Sequence, residues 1–154
     1  MTRSSILLVL LCLLSFSARA EFLIGPSSVN SVIGPTFEWA GQRSSYYAVV
    51  GAHMARGGWD VEDDMRWVIG SRHRLDRGTT DTSGFYVGAL AGDLGGRRQY
   101  ERLGIGGEIG HQWVGEFLRL TVSSGLAILE EQEERDNDYE PMIVMGISLM
   151  IRRP

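Results

Sequence analysis

Lysine is absent from this chain and cysteine occurs once, as Cys12, so all fifteen basic residues are arginine. Without lysine there is no Schiff-base nucleophile and no phosphate-loop lysine. No apolar run reaches the roughly 20 residues that cross a bilayer as a helix. The longest, Ile6 to Leu14, lies near the start, between Arg3 and the small-x-small triplet Ala18-Arg19-Ala20. That order of charge, short apolar run and small residues predicts a secretory signal peptide over residues 1–20, cut between Ala20 and Glu21. The run is too short for an anchor. Cys12 sits inside it behind Leu11 rather than a small residue, which argues against a lipoprotein.

Cleavage at that point removes the one cysteine. A mature domain of residues 21–154 then has neither a disulfide framework nor a thiolate metal site. It is the size of one domain. Losing Arg3 and Arg19 leaves 13 basic and 19 acidic residues, a net charge of −6. An acidic chain without a basic stripe is expected to bind no nucleic acid.

Glycine, by contrast, is plentiful. All 20 glycines lie after residue 20, which is about twice the roughly 7% usual in proteins. They are scattered through apolar stretches such as Val87-Gly88-Ala89 and Met145-Gly146-Ile147. Glycine in such positions weakens a flat sheet and suits the bends of a small closed barrel.

Apolar residues recur with period two, the spacing of strands with two unlike faces. Met65, Trp67 and Ile69 oppose Arg66, Val68, Arg72 and Arg74. Phe85, Val87, Ala89 and Ala91 oppose Tyr86 and Gly88. Leu103, Ile105 and Ile109 oppose Glu108 and Gln112. Leu118, Leu120 and Val122 oppose Arg119, Thr121 and Ser123. Ile143 to Ile151 alternates without a charge. With Ile33–Ala40 and Ser45–Ala55 these make seven strands. Glu21–Val29 is an eighth, which Pro26 should confine to an edge or a bulge. The expectation is an all-β chain, an antiparallel up-and-down β-barrel of about eight strands. Connections are long at Glu130–Glu140 and Asp93–Gln99, tight at Val114-Gly115, and blurred at Asp76–Asp81 and Arg56–Trp59.

Periodicity does not say which face meets the core. A soluble, lipocalin-like barrel would hold the apolar face inward around a small apolar ligand. A membrane barrel would turn it to lipid and place the arginines in the lumen. Aromatic residues near strand ends favour lipid: Phe37 and Trp39, Tyr46 and Tyr47, Trp59, Phe85 and Tyr86, Tyr100, Trp113 and Phe117. So does the polarity of the other face. The closing Ile151-Arg152-Arg153-Pro154, without a terminal aromatic, counts the other way.

The segment Arg66–Arg74, then Ser83-Gly84-Phe85-Tyr86-Val87-Gly88, then Gly104-Ile105-Gly106-Gly107-Glu108-Ile109-Gly110-His111-Gln112-Trp113, resembles a family of small bacterial outer-membrane β-barrels of unknown function. His111 stands where that family's pattern has tyrosine. The resemblance spans roughly Asp60–Leu129. It implies a barrel in an outer membrane, with membrane lipid as its partner, and brings no activity.

The charged residues of the non-lipid face, Glu38, Arg66, Arg72, Glu108 and Arg119, are expected to form a hydrogen-bonded network in a narrow lumen. Unpaired charges there would be costly. His53 is expected to face inward, with His73 and His111 outward, so the three do not converge as metal ligands. No metal or cofactor site follows. A Ser-His-acid set of His111, Ser123 or Ser124, and Glu116 supplies the ingredients of an outer-membrane lipid-modifying enzyme. Such ingredients occur in any protein of this size, and no enzyme is expected. The acidic run Glu130 to Glu140 reads as a solvated loop, with a divalent cation as its functional alternative.

Overall fold

A computed structural model describes residues 20–30, 32–53, 65–94, 103–130 and 139–152. The signal segment, the Arg56–Trp59 turn, most of Asp93–Gln99 and the acidic run at 131–138 lie outside the described residues, as do the side chains of His53, Tyr139 and Glu140.

Eight strands form: β1 (Glu21–Val29), β2 (Val32–Ala40), β3 (Ser44–His53), β4 (Arg66–Arg74), β5 (Gly84–Asp93), β6 (Leu103–Val114), β7 (Leu118–Glu130) and β8 (Tyr139–Ile151). Each pairs antiparallel with the next, and β1 also pairs with β8, closing the barrel. The all-β, up-and-down expectation holds. The alternation read from sequence fixes which residues of each strand share a side, because successive side chains leave a strand on opposite faces.

Pro26 does not confine β1 to an edge. It faces out opposite Pro35 in the β1–β2 ladder, where neither ring's missing N–H matters. Its effect is felt at the closing seam. Pairing with β8 holds at Ile24↔Ile151 and resumes at Ser27↔Ser148, passing over Gly25 and Pro26 without a change of register. The β1–β2 connection is a two-residue hairpin in which Asn30 takes a left-handed φ of 56°, a conformation asparagine tolerates.

The register measures the stagger. One circuit runs Gly25↔Thr36, Thr36↔Val49, Val49↔Val68, Val68↔Gly92, Gly92↔Gly104, Gly104↔Leu129 and Leu129↔Glu140. The seam pairs Ile24↔Ile151 and Ser27↔Ser148 put Met150 beside Gly25, so the circuit closes ten residues out of step. Ten residues over eight strands tilt the strands by about 40° with a ~3.3 Å rise and ~4.8 Å spacing. At that tilt 9 to 13 residues match the length of strand that crosses a hydrocarbon layer.

The two rims differ. One, here the terminal rim, holds the start of β1, the end of β8 and the connections 41–43, 75–83 and 115–117. The opposite rim takes 30–31, 54–65, 94–102 and 131–138. Two of the three connections at the terminal rim are tight, as the Val114-Gly115 reading implied. The third, 75–83, is longer because it has a second task, described below.

Candidate functional site

Polarity is inverted relative to a soluble domain. Seven charged side chains within strands are buried in the lumen: Glu38, Arg66, Arg72, Arg74, Asp93, Glu108 and Arg119. The other charged strand residues with described side chains, Glu21 and Glu130, stand at strand ends. The strands carry twenty-one large hydrophobic residues on the outer wall that are at least 40% exposed, from Phe22 to Ile151. A water-soluble monomer rarely leaves more than a few hundred Å² of contiguous apolar surface in water.

The lumen divides along its axis. Toward the opposite rim it is mainly apolar, packed by Val29, Val32, Val49, Val68, Leu90, Leu94, Leu129 and Val144, with one buried ion pair near the rim itself. Toward the terminal rim it is charged. The expectation of a lumen filled by a charged network is therefore right for one half only. The valines and leucines of the other half share the inward parity of the arginines, and eight strands leave just enough width for them to interdigitate.

Arg72 is the hub of the charged half. Its Nη1 donates to Glu38 Oε2 at 3.1 Å and its Nε to Glu108 Oε1 at 3.3 Å. Its guanidinium lies 4.1 Å from the ring centroid of Tyr47 and 5.3 Å from that of Tyr86, so two aromatic π-systems meet the cation. The Tyr47 hydroxyl donates to Glu108 Oε1 at 3.3 Å. Arg119, fully buried, donates from Nη1 to Glu38 Oε1 at 2.8 Å. Glu38 thus bridges two arginines, and two carboxylates meet two guanidinium groups. Burying such a set is tolerable only when each charge is paired and hydrogen-bonded.

Four of the five network residues expected from sequence meet in this way. Arg66 does not. It sits at the other end of β4, six residues from Arg72, and its Nη1 pairs with Asp93 at 3.1 Å near the opposite rim. Sequence reasoning also misplaced Tyr47 and Tyr86, which were read as girdle aromatics beside Tyr46 and Phe85. Neighbouring strand residues cannot share a face, and both tyrosines are buried in the lumen. Their cross-strand partners are glycines, Tyr47↔Gly70 and Tyr86↔Gly110, and each ring occupies the space a β-carbon would need. A tyrosine folded over a facing glycine is a recognised way to stiffen such strands.

The 75–83 connection folds under the charged half as a plug. Thr80 is buried, and its carbonyl accepts from Arg119 Nη2 at 2.8 Å and Gln112 Nε2 at 2.8 Å. Its N–H donates to the Gln42 carbonyl at 2.8 Å, and its hydroxyl to that of Gly41. Arg74 grips the rest, with two bonds to Asp76 at 3.1 and 2.8 Å and others to the Thr82 and Ser83 carbonyls at 2.9 and 2.8 Å. The Thr79 hydroxyl donates to Asp81 and holds that carboxyl below its usual range. Arg119 therefore ties the plug to the hub.

Histidines face outward where described. His111 lies between Phe85 and Trp113, at centroid distances of 4.6 and 4.4 Å. Ser123 is buried in the lumen, and Ser124 stands opposite Ile109, so the set built on His111 does not assemble. A different pair does form on the wall, with Ser44 Oγ 2.9 Å from His73 Nδ1. In a catalytic triad Nδ1 belongs to the acid and Nε2 to the serine. Here the serine holds the acid's position, which fits a structural cross-strand bond. Among the described residues no three His, Cys, Asp or Glu side chains gather as metal ligands would.

The fold and lumen together define a closed eight-stranded barrel with a plugged, charge-paired interior and an apolar wall. Compared with known proteins, the chain matches no family model, no curated protein and no solved structure.

Proposed function

We propose that this chain is a non-enzymatic outer-membrane β-barrel, exported through a cleaved signal peptide, with a structural or surface-interaction role. One observation carries the reading. Charged strand residues with described side chains are buried or at strand ends, while the wall around all eight strands is apolar. In lipid this arrangement keeps the strand ladders within a closed sheet and leaves the charges paired inside. In water it would expose far more apolar surface than a soluble protein carries. The soluble alternative, an apolar ligand inside the barrel, finds no support in a lumen filled by valine, leucine and the charged hub.

The lumen reads as plugged at both ends rather than as a pore, by the valine–leucine cluster and by the Thr80 loop. Membrane lipid is the partner the wall suits. The likeness of residues 60–129 to small outer-membrane barrels belongs to the same proposal. Fractionation of cells expressing the full chain tests it. The expected result is extraction from envelopes only with detergent and gel migration that shifts on heating. Release by osmotic shock into a detergent-free supernatant would overturn it.

A further inference from the structure

The apolar wall is not uniformly rugged. On β3 to β5 the outward residues Ala48, Ser71, Ala89 and Ala91 are small, and with Ile69 between Ala48 and Ala91 they floor a groove of about 550 Å³. Phe22, Phe37, Trp39 and Tyr46 wall one side, with Trp39 and Tyr46 stacked at 5.7 Å; Ile105 lies across the floor. The groove is apolar, with an aromatic bank.

Its end toward the terminal rim is polar. The Tyr46↔Ser71 pair lines the groove, and the next outward pair along β3 and β4 is Ser44↔His73. Just beyond, Arg43 is exposed at the rim. Its Nη2 is held by the carbonyls of Asp76, at 2.8 Å, and Arg74, at 3.5 Å. Those oxygens fix the guanidinium and leave its charge uncompensated. The loop's carboxylates are engaged elsewhere, Asp76 by Arg74 and Asp81 by the Thr79 hydroxyl. Among the described ion pairs of this rim, Arg43 takes no carboxylate. A fixed, exposed cation one residue along the chain from the Ser44–His73 pair is a fitting receptor for a phosphate group.

We propose that this trough is a specific binding site for a diacyl phospholipid, one acyl chain lying on Ala48, Ala89 and Ala91 and the phosphate on Arg43, Ser44 and His73. The site rests on the membrane reading and adds a ligand class to it. Charge complementarity at one end and an apolar groove at the other select this occupant over a second copy of the chain, for which no matching cation receptor is needed.

The test uses native mass spectrometry of the detergent-solubilised protein titrated with phosphatidylglycerol, and with diacylglycerol of the same chains as a phosphate-free control. Wild type should retain one phosphatidylglycerol. Ala89→Leu, which fills the floor, should weaken retention of both lipids roughly tenfold. Arg43→Gln should weaken phosphatidylglycerol only. Both positions lie outside the lumen network, and heat-modifiable migration checks that each variant folds. Should Ala89→Leu not fold, Ala91→Leu serves the same purpose. Equal retention by folded wild type, floor variant and Arg43→Gln would overturn the site, as would a dimer that excludes lipid. A protein extracted only by detergent yet holding no lipid sinks the groove alone. A protein that fractionates as soluble yet binds phosphatidylglycerol sinks the membrane reading alone.

Discussion

At the scale of the residue, Arg72 decides whether the charged half of the lumen is stable. It alone touches both carboxylates of the hub, Glu38 and Glu108, and it stacks on two rings. Glu38 retains Arg119 if Arg72 is lost, whereas Glu108 would keep only the Tyr47 hydroxyl among the bonds of the hub. Arg72→Met should therefore destabilise the folded barrel by about 3–5 kcal/mol, the scale for stranding a buried charge. Adding Glu108→Gln should recover part of that loss, since the stranded charge is gone. Glu108→Ala alone should also destabilise, because Arg72 then loses a partner. Urea unfolding in vesicles, read by heat-modifiable migration, gives all three values. An unchanged midpoint for Arg72→Met would show that the hub contributes nothing to stability.

Parity made four of these charges legible before any coordinates. Glu38, Arg72, Glu108 and Arg119 each oppose an apolar neighbour, so their common face followed from strand geometry alone. What parity does not carry is position along the axis. Arg66 shares the face of Arg72 and still lies six residues away, beside Asp93, which sequence reasoning had left in a loop. The plug was missed for another reason. Thr80 lies in a stretch with no periodicity, and its carbonyl, not its side chain, is what Arg119 and Gln112 hold.

At the scale of the element, the strands depend on facing glycines and tyrosines. Gly70 and Gly110 have no β-carbon because the rings of Tyr47 and Tyr86 occupy that space, and the same rings flank Arg72. Gly70→Ala should push Tyr47 off its seat and cost about 1–3 kcal/mol, the usual range for overpacking. The same substitution in a Tyr47→Leu background should cost less, because the clash partner is gone. Equal costs in both backgrounds, measured by urea unfolding, would mean that the ring is not what glycine accommodates. The seam between β1 and β8 shows the same dependence on local chemistry. Pro26 was read as a reason to doubt β1. The strand is intact because the proline faces Pro35 and the seam passes over it without slipping.

At the scale of the whole molecule, the account reduces to which side meets lipid. An up-and-down barrel of about eight strands, and which residues share a face, were readable from alternation, while the exact strand number was not, because Glu21–Val29 carries Pro26 in place of a clean two-face pattern. The orientation of those faces was not, because a soluble barrel and a membrane barrel share one periodicity. Burial places the apolar face outward and the charged residues inside. Leu126, at mid-strand in β7, is 68% exposed on a wall without charge. Leu126→Arg should therefore cost about 2–4 kcal/mol for folding into a bilayer, the penalty for arginine near the midplane. On a water-facing wall the same change would stay within about 0.5 kcal/mol.

The most direct measurement uses the tryptophans already present. Trp39, Trp67 and Trp113 point out from the wall. The chain from Glu21 onward would be refolded by diluting urea into vesicles of phosphatidylcholine, with and without bromine atoms on the acyl chains. The account predicts that the protein floats with the vesicles and that brominated lipid quenches most of its tryptophan fluorescence. Protein that stays at the bottom of the gradient, folded and with unquenched fluorescence, would contradict it.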